Sequence, residues 1–348
     1  MKKGFALVMA SMMALSLTAC GGNGSSATTA ADTSAADTKA EGTTAAAPAD
    51  KIGLAGSGKE LIFTTGGDQG TYYGFGSVLA GQISDMTDTT VTAIVGKGSK
   101  GNIEAMDAGD AQLGFVQSDV MAYAYNGTNL FDGAKVDGFS TVAALYMEQV
   151  QIVTLNPDIK TVADLKGKTV SVGDSGSGVY FNALDCLGAY GLTIDDITPT
   201  YQSFGDSVEA MQDGKIDAAF IVAGAPTTAV TSLAATRKVY LVELDEEHID
   251  KLIETSPYYS KYTIAKDAYG LDADATTVAV GAVVVARDDV DENDIYNVVA
   301  GIYDSIDTLG HDKKNELDLD FAASVTAVPY HKGAAKYFAE KGLTVPTK

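Results

Sequence analysis

The sequence predicts an α/β protein of two lobes, each built on a largely parallel sheet. Three observations carry this. Short β-branched runs alternate with helical stretches from Glu60 onward, the alternation runs through twice, and each half contains a similar helix–glycine–strand unit. The units are NIEAMDAGDAQLGFV (102–116) and SVEAMQDGKIDAAFIV (207–222). In both, EAM and a few polar residues lead to a glycine, Gly109 or Gly214, placed as a helix C-cap before a buried strand.

Taken in chain order, the first element is a leader. Lys2 and Lys3 precede an apolar stretch from Phe5 to Leu17, which is too short for a permanent bilayer span and reads as a secretory signal. Leu17-Thr-Ala-Cys20 resembles a bacterial lipobox, which implies cleavage after residue 19 and lipid on Cys20. Residues 20–58 are poor in large apolar side chains and are expected to form a flexible, disordered tether. The body that follows is long enough for two cores, with 59–154 plus 279–348 as lobe 1 and 155–278 as lobe 2.

In the first half, strands are expected at 61–65, 91–95, 112–116, 140–146 and 150–155, with helices at 71–86 and 99–109. In the second, strands are expected at 168–173, 197–201, 217–222 and 239–244, with helices at 177–190, 205–214 and 226–236. LNPD (155–158) suits a crossover, and VAVGAVVVAR (278–287) a buried return strand. With Cys20 taken by lipid, Cys186 has no disulfide partner and reads as a buried, small apolar residue on a helix.

Charge narrows the function. There are 46 acidic residues against 24 basic ones, a net charge of −22, which excludes nucleic acid and a broad anionic membrane surface as partners. GLAGSGKE (53–60) mimics a phosphate-binding loop, but Glu60 stands where a Mg²⁺-binding hydroxyl is needed and the segment precedes a strand. His248, His311 and His331 are far apart in the chain, and no metal cluster or G-x-S-x-G elbow is visible. DDVDEND (288–294) lacks the glycine and final glutamate of a calcium loop and reads as acidic residues at a helix start. No enzyme, cofactor or metal is therefore expected.

Two glycine-rich turns remain, TGGDQGTYYG (65–74) and GDSGSGVYFN (173–182), each running from a strand into a helix. The free N–H groups of a helix start make such a turn an anion cradle, with Thr71, Tyr72, Ser175 and Ser177 adding hydroxyls in the first turn. The other reading is that the glycines serve only tight turns and close packing. The dinucleotide fingerprint is incomplete in both. A third loop, GKGSKGNIEAM (96–106), places Ser99 as an N-cap, and FVQSDV ends a strand in Gln117-Ser118, where open α/β sheets hold ligands. Its second-half counterpart is VAGAPTTAV (222–230), with Pro226 in a helix first turn.

GGDQGTYYGFGSVLA, QLGFVQSDV, DLKGKTVSVGDSGSG, DGKIDAAF and VPYHKGAAKYFAEKGL, in this order, together resemble the TAXI family, the solute-binding proteins of tripartite ATP-independent periplasmic (TRAP) transporters. The resemblance spans Leu61 to Leu343. It implies a type II periplasmic-binding-protein fold with two crossover strands, no catalysis, and delivery of a small carboxylate such as glutamate or 2-oxoglutarate to a sodium-coupled TRAP permease. Implied contacts are Gly67, Gln69, Thr71 and Tyr72, then Ser99 and Asn102, then Gln117 and Ser118. Lobe 2 would add Ser175, Ser177, Gly178 and Gly224, and His331 would be structural. A monomer tethered to the membrane through Cys20 is expected. Alternatives are a lipoprotein presenting its ligand to a membrane sensor, or the binding protein of an ATP-driven importer for a sulfonate or thiamine-precursor-like solute. Neither Arg237 nor Arg287 falls in a cleft loop, so hydroxyls and helix-start amides must hold the acid, with closure driven by ligand bridging the two glycine turns.

Overall fold

The structure is a computed structural model and describes residues 51–348; the leader, Cys20 and most of the tether lie outside the described residues. Lobe 1 opens with β1 (Glu60–Thr64), α1 (Thr71–Met86), β2 (Thr90–Ile94), α2 (Ser99–Asp107), β3 (Leu113–Gln117) and α3 (Ser118–Asn126). A 16-residue strand, β4 (Phe139–Thr154), then leads into lobe 2. There follow β5 (Thr169–Ser171), α4 (Val179–Ala189), β6 (Thr198–Thr200), α5 (Phe204–Gln212), β7 (Ala218–Ala223) and α6 (Thr228–Ala234). Lobe 2 ends with β8 (Tyr240–Val242), α7 (Glu246–Thr255) and β9 (Ser260–Ile264), and β10 (Ala275–Arg287) returns to lobe 1. There α8 (Glu292–Tyr303), α9 (Leu319–Ala322) and α10 (Lys332–Glu340) complete the chain.

The strand order is β2-β1-β3-β10-β4-β7-β5-β6, with β8 on β4 and β9 on β10. Within each lobe the three short strands are parallel, β1 between β2 and β3, and β5 between β6 and β7. The long β4 and β10 run antiparallel from Phe139 opposite Arg287 to Gln149 opposite Ala279, and each lobe's parallel set attaches to one of them. This is the expected α/β fold of two lobes joined by two crossover strands. Apolar side chains cover both faces in each lobe. Phe63, Phe75 and Tyr337 pack on one face of the lobe 1 part of the sheet, Val116, Val120 and Phe139 on the other. Phe220 and Cys186 sit on one face of the lobe 2 part, Ile221 and Val230 on the other.

The repeated units form equivalent parts. Both α2 and α5 end in a glycine of positive φ, Gly109 at 87° and Gly214 at 69°. In both, the glycine N–H donates to the carbonyl three residues back (Met106, Met211), and the next N–H to the one five back (Ala105, Ala210). That double closure satisfies the helix's last carbonyls and turns the chain into β3 or β7.

Several expectations change. The two strands read at 140–146 and 150–155 are one, because Met147, Glu148 and Gln149 stay in the ladder opposite β10. The partner of β4 therefore changes inside the strand, ahead of LNPD. Ser99 is the first helical residue of α2 and not its cap; its Oγ accepts from the Gln117 N–H at 3.0 Å. Ser175 and Ser177 precede α4 instead of lying in its first turn, and Pro226 follows a cis peptide two residues before α6. Part of the segment 51–58, assigned to the tether by composition, is pinned to α8: Leu54 N–H donates to Asn297 at 2.7 Å, and the Ser57 N–H and hydroxyl bond Asp294. Asp291 caps α8, as its acidic run suggests, and His331 caps α10, its Nδ1 accepting from the Gly333 N–H at 3.3 Å.

An alanine at either capping glycine must adopt a left-handed conformation. Gly109→Ala and Gly214→Ala should each lower stability by about 1 kcal/mol, read as an earlier urea midpoint at unchanged m.

Candidate functional site

A cavity of about 90 Å³, room for several waters or one small organic molecule, lies between the lobes. Lobe 1 contributes the turn 66–70 with Thr71 and Tyr72, the loop 96–99, Gln117 and Glu148. Lobe 2 contributes Asp174, residues 177–179 and 203–205, Val222 and Ala223.

Three helices begin on its wall. The N-caps of α1, α2 and α4 are Gly70, Gly98 and Gly178, and none has a side-chain cap hydrogen bond. A glycine cap leaves the first N–H groups of a helix without a covering side chain. Each such start favours a negative group by about 0.3–1 kcal/mol, more when partly buried. Ser203, the N-cap of α5, also lines the cavity, but its hydroxyl already accepts from the Asp206 N–H at 3.1 Å. Two polar atoms on the wall are buried without a partner, Ser177 Oγ and Gln117 Oε1. Arg287 is engaged by Asp289 at 2.8 and 2.9 Å and by the Met106 carbonyl, and Arg237 is exposed after α6, so neither guanidinium reaches the wall. Lys97 is the cation on the rim.

Opposite charge is present too. Glu148 is 2 % exposed, and the Tyr72 hydroxyl donates to its Oε2 at 2.8 Å. Burial pushes its carboxyl up to about 8, with Asp119 adding to the rise while Tyr72 and Lys313 oppose it. Lys313 is itself committed: it pairs with Glu316, lies over the Tyr146 ring and donates to the Ala225 carbonyl at 3.0 Å. Nearby, burial pushes Asp119 up to about 7.

The lobes touch directly around the cavity. Thr71 Oγ1 donates to the Gly224 carbonyl at 2.9 Å, and Ala229 N–H to the Gln69 carbonyl at 3.2 Å. Gly101 N–H donates to the Gly176 carbonyl at 2.9 Å, and Gln117 Nε2 to Asn182 Oδ1 at 2.9 Å. Each glycine turn thus bonds the other lobe at a helix start instead of at its counterpart turn.

Of the residues singled out from sequence, Gly67, Gln69, Thr71 and Tyr72 line the cavity, as do Ser99 and Gln117 from lobe 1 and Ser177 and Gly178 from lobe 2. Four others lie elsewhere. Asn102 is spent on the core, its Nδ2 donating to the Thr65 and Phe115 carbonyls and its Oδ1 accepting from Thr64. Ser118 Oγ accepts from the Gly281 N–H at 3.0 Å and fastens α3 to β10. Ser175 is exposed, and Gly224 serves through its carbonyl, one residue beyond the wall. The sequence reading missed Glu148 and the α5 start at 203–205. The signal for Glu148 was a lone acid inside an otherwise apolar run, STVAALYMEQVQIVTL.

Fold and site together define a two-lobed α/β protein with a cavity between the lobes at which three helices begin. The chain belongs to the NMT1-like family, whose model matches residues 63–342. A 70-residue stretch is 43% identical to the putative aliphatic sulfonates-binding protein of Escherichia coli (strain K12), covering 20% of this chain and 22% of that protein. The chain thus aligns with about a fifth of that relative's length. Among solved structures, the periplasmic aliphatic sulphonate binding protein SsuA from Escherichia coli overlaps with a TM-score of 0.43 at 19% identity, over 82% of this chain and 94% of that one. PhnD1 from Prochlorococcus marinus (MIT 9301) in complex with methylphosphonate overlaps with a TM-score of 0.47 at 13% identity, over 76% and 89%. Among the described residues, no helix is long and apolar enough to cross a membrane.

The two buried acids carry a pH signature. Asp119 and Glu148 hold their protons in the folded chain at pH values where the unfolded chain has lost them, so stability falls as pH rises from about 4 through 8. Thermal melts should show Tm declining across this window, and Glu148→Gln should flatten its upper part; a Tm rising through the window would contradict the assignment.

Proposed function

We propose that the chain is an extracytoplasmic solute-binding protein that captures a small organic anion between its lobes and delivers it to a membrane permease. The observation that carries this reading is the meeting of three uncapped helix starts, at Gly70, Gly98 and Gly178, on one cavity. Two lobes joined by two crossover strands are suited to opening and closing on a guest. The TAXI-like motifs favour a carboxylate such as glutamate or 2-oxoglutarate, a TRAP permease as the receiving partner, and anchoring through lipid on Cys20.

A second reading replaces the carboxylate by a sulfonate and the permease by an ATP-driven importer. It is favoured by the 70-residue match to the putative aliphatic sulfonates-binding protein. Both readings use the same amides, because either acid presents oxygens of like charge to a helix start. The wall residues supply hydrogen-bond donors and acceptors of the kind that hold a small acid.

Titration calorimetry with glutamate, 2-oxoglutarate, ethanesulfonate and taurine tests the reading, and native mass spectrometry of freshly purified protein looks for a retained acid. Ser177→Ala removes a hydroxyl facing the guest, and Thr71→Ala removes the bond to the Gly224 carbonyl that holds the lobes together. Each should weaken binding by about 1 kcal/mol. Unchanged affinity in both variants would reject the site.

A further inference from the structure

Gln117 ends β3 with its carboxamide between the cavity and the lobe interface, and the surrounding hydrogen bonds fix which end faces which way. The Tyr259 hydroxyl donates to Asp185 Oδ2 at 2.9 Å, so toward Asn182 it accepts, from Nδ2 at 2.7 Å. The other Nδ2 hydrogen of Asn182 goes to Asp119 Oδ2 at 3.1 Å. With both amide hydrogens used, Asn182 turns Oδ1 toward Gln117, which must answer with Nε2, at 2.9 Å.

Gln117 Oε1 is left as the free end. It is buried and has no partner, and it lies against Gly178 at the α4 start, where an added Cβ would come within 1.8 Å of it. The missing side chain at 178 is what makes room for this oxygen on the wall. A buried carbonyl oxygen with no donor is costly, and native structures rarely leave one so. The same wall of lobe 1 holds the Glu148 carboxyl, to which the Tyr72 hydroxyl supplies one donor. Donors from the helix starts and the free acceptor of Gln117 therefore share one small space beside the Glu148 carboxyl.

We infer that the ligand carries an N–H or O–H donor beside its acid group, and that Asn182, Asp119, Tyr259 and Asp185 are positioning residues that enforce this by holding Gln117 as an acceptor. The inference rests on the anion-binding reading above and deepens it: an amino or hydroxy acid is accepted, and the analogue with hydrogen in place of that group leaves Gln117 Oε1 unpaired. Asp119 belongs to lobe 1 and Asn182, Asp185 and Tyr259 to lobe 2, so the lock on Gln117 is set only when the lobes meet.

The test measures affinity for acid pairs that differ in one amine: glycine and acetate, L-glutamate and glutarate, taurine and ethanesulfonate. The full chain should prefer the amine-bearing member of the pair that binds by roughly 10-fold or more. Asn182→Ala frees Gln117 to rotate and also removes an inter-lobe bond, so both members of a pair should bind more weakly while the preference between them shrinks to within about 2-fold. Tyr259→Phe, which keeps the ring and removes one acceptor, should give an intermediate preference. A merely structural role would weaken both members of a pair alike and leave their ratio unchanged. Equal binding within the pair by the unaltered chain overturns this inference and leaves the anion reading standing; binding of no acid in the panel overturns both.

Discussion

The antiparallel pairing of β4 with β10 is the constraint on which the rest of the molecule depends. Both strands pass through the two lobes without a break, so each lobe's parallel strands must attach along the same pair. The attachment brings the ends of β3 and β7 to the region where β4 changes partner, near Glu148 and Gln149. Helices following parallel strands start where those strands end, so several helix starts converge on one place. The cavity is therefore a consequence of strand order before it is a consequence of any side chain.

Glu148 and Asp119 are the counterweight. The proposed anion site must accommodate two buried acids, and their protons allow this in part: burial raises Glu148 to about 8, which leaves it largely neutral at pH 7, and Asp119 to about 7, near its midpoint there. A neutral carboxyl does not repel the guest, and it offers hydrogen-bonding capacity in a space where an unpaired charge would be costly. Lys313, the cation that opposes the rise at Glu148, is held by Glu316 and the Ala225 carbonyl and takes part in joining the lobes.

Much of this was legible in the sequence because local rules coincide with the global fold. The EAM–glycine–strand units predicted two equivalent helix turns, and Gly109 and Gly214 take the left-handed conformation that such turns require. The glycine turn before Thr71 and eight of the twelve residues proposed for the site fall on the cavity wall. What failed was set by distant parts of the chain. Met147, Glu148 and Gln149 look like a polar break between two strands, and only pairing with β10, more than a hundred residues later, keeps them in one. Asn102 and Ser118 stand at ligand-like positions, but their polar atoms are spent on backbone groups of neighbouring strands, which spacing alone does not reveal. The hydrogen bonds around Gln117 join β3, α3, α4 and the loop before β9, which no local pattern connects.

On the anion-binding proposal, the glycine-capped helix starts and the net charge act on the guest over different ranges. The attraction of the helix starts reaches only about a helical turn, whereas the net charge of −22 opposes an incoming anion from much farther away. Dissolved salt screens the long-range repulsion and leaves the sheltered, short-range grip nearly intact. For an anionic guest, encounter would therefore quicken as ionic strength rises, while its residence time would hardly change.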